Sequence, residues 1–180
     1  MQADFSIELG AEDEVMECPW AAAGDVRYYD LKRHPGLVAS VPEAFGNPAL
    51  QEFLAGANSA SSLFETAKCD CWFSQEISEE EKTFGQPAKF GSYVDLIFSA
   101  PEERASFQAH ERWAQRISEL LKRAPEIGCA AEFCVRRCYT TPSRAKPPRD
   151  GSPGIGPEEG FGMTFYLFGY GEDEAAARAR

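Results

Sequence analysis

Long apolar runs are absent from this chain. No stretch approaches the roughly 18 unbroken apolar residues of a membrane-crossing helix, and MQADFSIELG has neither the basic start nor the apolar centre of a secretory signal. The sequence therefore predicts a soluble, cytoplasmic protein without membrane partners. Positive charge is also scarce. Lys and Arg number 18 against 29 Asp and Glu, a net charge of −11, whereas contact with a phosphate backbone needs neutralising Lys and Arg. Nucleic acid is not an expected partner.

Catalytic signatures are missing too. GxSxG, HExxH, a P-loop, paired CxxC and EF-hand spacing do not occur. The GxG within SPGIGP at 152–157 lacks the strand, helix and lysine of a phosphate cradle. Of only two histidines, His110 falls on the apolar stripe of a helix, and His34 sits in the polar run YYDLKRHPG with no nucleophile marked beside it. The reading leans against an enzyme, and no catalytic residue, cofactor or metal is expected.

Six cysteines are an even number, but with no secretory signal and an adequate core, reduced thiols are expected. Cys69 and Cys71 share one face if they lie on a strand. Cys134 and Cys138 on a strand stand about 13 Å apart, too far to share a zinc ion with sulfurs at ~2.3 Å. A helix over 130–139 would bring them together, so their structural role depends on the strand assignment.

What is present suits one globular domain over 1–180. Apolar residues make up 43% and charged residues 26%, and a chain of this size buries roughly 70% of its extended surface. Charge is unevenly distributed: residues 1–30 carry eight acids against Arg27 alone, and residues 132–149 carry five basic residues against Glu132. Residues 1–60 thus form an acidic N-terminal arm with a short helix, and the arm either faces the basic patch or attracts a basic partner.

The apolar spacing predicts a strand over Asp4–Leu9, a helical turn at Pro35–Ser40, and a helix opened by Asn47 and Pro48. Strands follow over Leu63–Glu76 and Lys89–Ser99. SEEEK between them has the pattern of a helix start. One long helix then runs from Pro101 past Leu121, with acids at its start and Lys122 and Arg123 at its end. Strands over Ile127–Thr140 and Phe161–Tyr170 flank a mobile Pro/Gly loop at 141–160, and EDEAAARAR opens a final helix. The string is βαββαββα. It predicts an α+β fold with a ferredoxin-like antiparallel sheet in βαββαβ order, plus an added strand and C-terminal helix, with the helices mainly on one face. Residues 61–180 read as two hairpin-helix units.

Strand parity divides the side chains between two faces. Ala67, Cys69, Cys71, Phe73, Val94, Leu96, Phe98, Phe133, Val135, Phe161, Met163, Phe165 and Leu167 are assigned to the helices. The opposite face then carries Lys68, Asp70, Trp72, Tyr93, Asp95, Arg136, Tyr166, Phe168 and Tyr170, together with Ile97, Cys134 and Cys138. So many rings exceed what a monomer leaves wet. Segment 10–60 could cover them through Trp20, Tyr28, Tyr29 and Leu31; so could a second copy of the chain, or a partner. The leading expectation is a non-catalytic protein-binding domain that uses this face or the acidic arm on a basic protein partner. A toxin-neutralising, immunity-type role would suit its charge. The alternative is a small-molecule-binding protein or enzyme with a pocket between this face and segment 10–60, lined by Asp70, Asp95, Arg136 and Trp72. A deep cavity with convergent charges would favour the alternative; a flat patch would favour the partner.

Overall fold

The computed structural model describes residues 1–20, 27–124, 128–141 and 157–180. Six strands make one sheet: β1 Gln2–Glu8, β2 Met16–Cys18, β3 Phe64–Ser74, β4 Ala88–Phe98, β5 Cys129–Thr140 and β6 Glu158–Gly171. Their order is β1-β5-β6-β4-β3, with β2 also paired to β5. β1 and β2 run parallel to β5 in succession, Glu8 opposite Arg136 and Met16 opposite Cys138. The other three pairings are antiparallel.

The class is α+β, but the sheet is mixed, and its order is not the ferredoxin-like one, in which the first strand lies inside the sheet. Here the β5–β6 hairpin occupies the interior and leaves β1 at the edge. Burial agrees with that placement: β1 leaves Gln2, Asp4 and Ile7 exposed, as tolerated at an edge, while β4 and β6 are apolar on one side and aromatic on the other.

The helices are α1 Pro48–Ala57, α2 Pro101–Arg104, α3 Phe107–Lys122 and α4 Glu174–Arg178. Asn47 caps α1 by accepting from the Leu50 amide at 3.2 Å. The long helix expected from Pro101 onward is interrupted, because Ser106 accepts from the Ala109 amide at 3.2 Å and starts α3 afresh. SEEEK gives one 3-10 turn, Glu81–Phe84, in which Ser78 and Glu81 exchange backbone-to-side-chain bonds of 2.8 and 3.3 Å.

Helices α1, α3 and α4 share one face of the sheet. Leu31, Val41, Leu50 and Leu54 pack on Val94 and Leu96, and Ala109 and Ala114 pack on Phe98, Phe133, Val135 and Met163. His110 is fully buried in that layer and edge-on to Phe98. Parity fails at one place. A bulge between Thr66 and Cys69 inserts an extra residue in β3, so Ala67 faces away from the helices and packs with Ile97 and Cys138. The ladder between β5 and β6 reaches Thr140 opposite Glu158; the Pro/Gly loop expected beyond it lies, for 142–156, outside the described residues.

Candidate functional site

The face opposite the helices is closed at both ends and open in the middle. At one end residues 10–20 cross it as a strap. Met16 and Cys18 bury against Ala67, Ile97 and Cys138, and Met16 Sδ rests where Gly162 has no side chain, 2.7 Å from an ideal Cβ. The strap is tied by charge. Arg136 donates through Nε to Glu8 at 2.9 Å and through Nη1 to Glu14 at 3.0 Å, and Arg137 donates to the Gly10 carbonyl at 2.6 Å. The acidic arm thus meets the first two residues of the basic patch within one molecule. The strap ends against β3, where the Trp20 indole donates to the Ala67 carbonyl at 3.0 Å. Beyond the edge, Tyr29 and Leu31 join the helix-side core, and Lys32 Nζ donates to the carbonyls of Ser59, Ser62 and Phe64 at 2.8–2.9 Å. Of the four residues expected to cover the aromatic face, Trp20 and Tyr28 stay beside it and Tyr29 and Leu31 do not.

At the other end the 3-10 turn covers Tyr170. Phe84 stacks on that ring at 4.0 Å, and the hydroxyl donates to Glu81 at 3.0 Å. Tyr170 is 2% exposed. The expectation that it contributes to an open surface is therefore corrected: the turn built by SEEEK roofs it over.

Between these ends the remaining residues assigned to the face come together. Trp72 lies 6.4 Å from Tyr93 and 6.1 Å from Phe168, and Tyr166 lies 5.9 Å from Tyr93 and 6.3 Å from Phe168. The indole of Trp72 lies across Gly91, whose absent Cβ would fall 2.6 Å from it. Each cation of the face stands over a ring: Lys68 over Tyr93 at 5.8 Å, Lys89 over Phe168 at 5.7 Å and Arg136 over Tyr166 at 5.9 Å. Lys89 is also paired with Glu81 at 2.7 Å. Lys68 has no carboxylate partner among the described residues. Asp70 is opposite Tyr93 in the β3–β4 ladder and is exposed at the margin.

Under the strap the aromatic floor deepens into a cavity of about 360 Å³, bounded by Glu14, Glu17 and Trp20 above and by Lys68, Tyr93, Asp95, Arg136, Thr164 and Tyr166 below. A second cavity of about 400 Å³ continues around the β3 edge and shares Trp20, Lys68 and Tyr93 with the first. Asp95 is the deepest acid. Its one hydrogen bond among the described residues comes from the Thr164 hydroxyl at 2.7 Å. Burial pushes the carboxyl up from 3.8 to about 6, against the opposing pull of that bond and of the more distant Lys68 and Arg136. Burial likewise raises the phenols of Tyr93 and Tyr166, which remain hydroxyl donors.

No thiol lines the cavity that holds Asp95, whereas Cys69 lines the second one. All six are free, and burial pushes Cys138 and Cys69 up to about 12 and Cys18 to about 11. Among the described residues no group of three or more His, Cys, Asp and Glu could hold a metal. His34 is exposed outside the site, and neighbouring Arg33 pairs with Asp30 at 2.7 Å.

Strand alternation could not reveal the strap residues Glu14, Glu17 and Met16, because β2 is three residues long and has no period to read. Glu8 was legible as a strand residue but not as the partner of Arg136, 128 positions away. Thr164 shares the parity of Tyr166, and that parity was the available signal for it. No helix among the described residues is long and apolar enough to cross a membrane. Comparison with protein-family models, with curated proteins and with solved structures finds no match to the chain.

Proposed function

We propose that this protein is a small-molecule-binding domain whose site is the trough between the aromatic sheet face and the strap. One observation carries the reading: the rings do not form a flat patch but line a cavity of about 360 Å³ into which Asp95, Lys68 and Arg136 converge, and convergent polar groups in a concave site are what orient a bound ligand. Trp72 and Tyr93 supply the stacking surface; Asp95, Thr164 and the two tyrosine hydroxyls supply orientation. The free, high-pKa thiols suit a cytoplasmic setting.

A fragment screen read by tryptophan fluorescence and melting temperature tests this. Binders are expected, and their binding is expected to be lost in Trp72→Ala and Tyr166→Ala. A screen whose hits are insensitive to both variants would remove the trough as the site. The protein-partner reading is second. It is favoured by Trp72 and Phe168, which extend past the cavity as a partly exposed shelf beside Asp70. A basic partner, as in an immunity-type complex, would meet that shelf, and its association rate would fall with salt.

A further inference from the structure

Resting on the ligand reading above, we infer that the guest is a small organic cation, its ammonium or guanidinium head against Asp95 and its apolar body on Tyr93, Tyr166 and Trp72. Charge around the cavity favours this sign. Glu14, Glu17 and Asp95 line it against Lys68 and Arg136, and Arg136 already serves Glu8 and Glu14. Asp95 and Glu17 have no ion pair among the described residues, and of the two Asp95 is enclosed while Glu17 is exposed. A buried carboxylate is costly without a counter-charge, and a guest cation would supply one. Lys68 and Arg136 already stand over Tyr93 and Tyr166, and the electron-rich ring of Trp72, which has no such cation among the described residues, attracts the same charge. At roughly 30 Å³ per water-sized group, the cavity takes on the order of ten non-hydrogen atoms, more than a bare ammonium ion and enough for a head with an attached ring. Lys68 opposes a cation: it is exposed and unpaired at the mouth, so its removal should tighten binding.

The groups that share the cavity with Asp95 are Lys68 from β3, Tyr93 from β4, Arg136 from β5, Thr164 and Tyr166 from β6, and Glu14 and Glu17 from the strap. Burial pushes the Asp95 carboxyl up to about 6, and a cation prefers its ionised form. Affinity should therefore be highest above pH 7 and fall about tenfold by pH 5.

The test titrates the intact protein with four probes of similar size: benzyltrimethylammonium, phenethylammonium, 2-phenylethanol and phenylacetate. Tryptophan fluorescence and calorimetry give the affinities. The two cations should bind at least tenfold tighter than the alcohol or the anion, weaken about tenfold from pH 7 to pH 5, and gain two- to threefold in Lys68→Gln. In Asp95→Asn the cations should lose tenfold or more at pH 7, and what binding remains should not vary with pH. If the alcohol or phenylacetate binds as well as the cations at a site sensitive to Trp72→Ala, the charge assignment is overturned and the binding reading stands. A flat wild-type pH profile overturns the placement of the head at Asp95. If none of the four binds at millimolar concentration, the charge assignment and the binding reading both fall.

Discussion

On the helix side of the sheet, Phe133 stacks on Phe165 with centroids 4.4 Å apart, and Met163 and Val135 beneath them have no exposure. On the other side, Tyr93 and Tyr166 stand 5.9 Å apart, with Lys68 and Arg136 over their faces and a cavity above. The same strands supply both sides. One side is covered by α1, α3 and α4, with a cavity of about 200 Å³ left between α1, α4 and the sheet; the other is bridged by a strap whose hold includes arginine–carboxylate pairs. Aromatic rings close a core when apolar neighbours surround them, and line a site when charges and empty space do. The difference lies in what the connections bring: amphipathic helices to one side, an acidic strap to the other.

Removing Phe98 should have the largest effect on that contrast. It is 1% exposed between Phe64 and His110, so Phe98→Ala should cost about 3–5 kcal/mol in urea unfolding. A loss below about 1 kcal/mol would mean that the helix side is not the stabilising layer. Asp95→Asn should act in the opposite direction. Its carboxyl is raised from 3.8 to about 6, so the folded state holds a proton more tightly than the unfolded one. The resulting penalty is fully present above pH 6, shrinks as pH falls toward 4, and is on the order of 2–3 kcal/mol. The variant should therefore be more stable than the parent at pH 7 and nearly equal to it at pH 4. Unfolding midpoints at the two pH values would show this, and a variant less stable at pH 7 would contradict it.

Smaller effects belong to the strap. Arg136→Met removes the bonds to Glu8 and Glu14 and should cost about 2 kcal/mol, with faster amide exchange in residues 14–18 but not in α3. Exchange rising equally in both would mean that the two sides unfold as one unit. Glu14→Gln breaks a pair whose acid is 71% exposed, so its cost should stay below about 1 kcal/mol and shrink further in high salt. A larger or salt-independent loss would point to packing rather than charge.

The trough was legible in the sequence where alternation is strict. Trp72, Tyr93, Tyr166 and Phe168 sit on uninterrupted stretches of β3, β4 and β6, and period two places them on one side. It was not legible where a local device breaks the count. The bulge sends Ala67 to the unexpected side, and the capped turn at Ser78–Phe84 buries Tyr170. The strand order was hidden for another reason: nothing local distinguishes an edge strand β1 beside β5 from a central one, because their pairing joins residues about 128 positions apart. The strap was missed because three extended residues carry no pattern. Its attachment depends on Arg136 and on the bare backbone at Gly162, both of which are distant in the chain.

Gly91 bears on how the trough could be altered. Trp72 lies flat there because the strand beneath offers only a hydrogen, so the depth of the aromatic floor is set by one missing methyl group. An alanine at that position would tilt the indole upward into the cavity. On the proposed ligand reading, that is a route to altered selectivity through a position that carries no functional group.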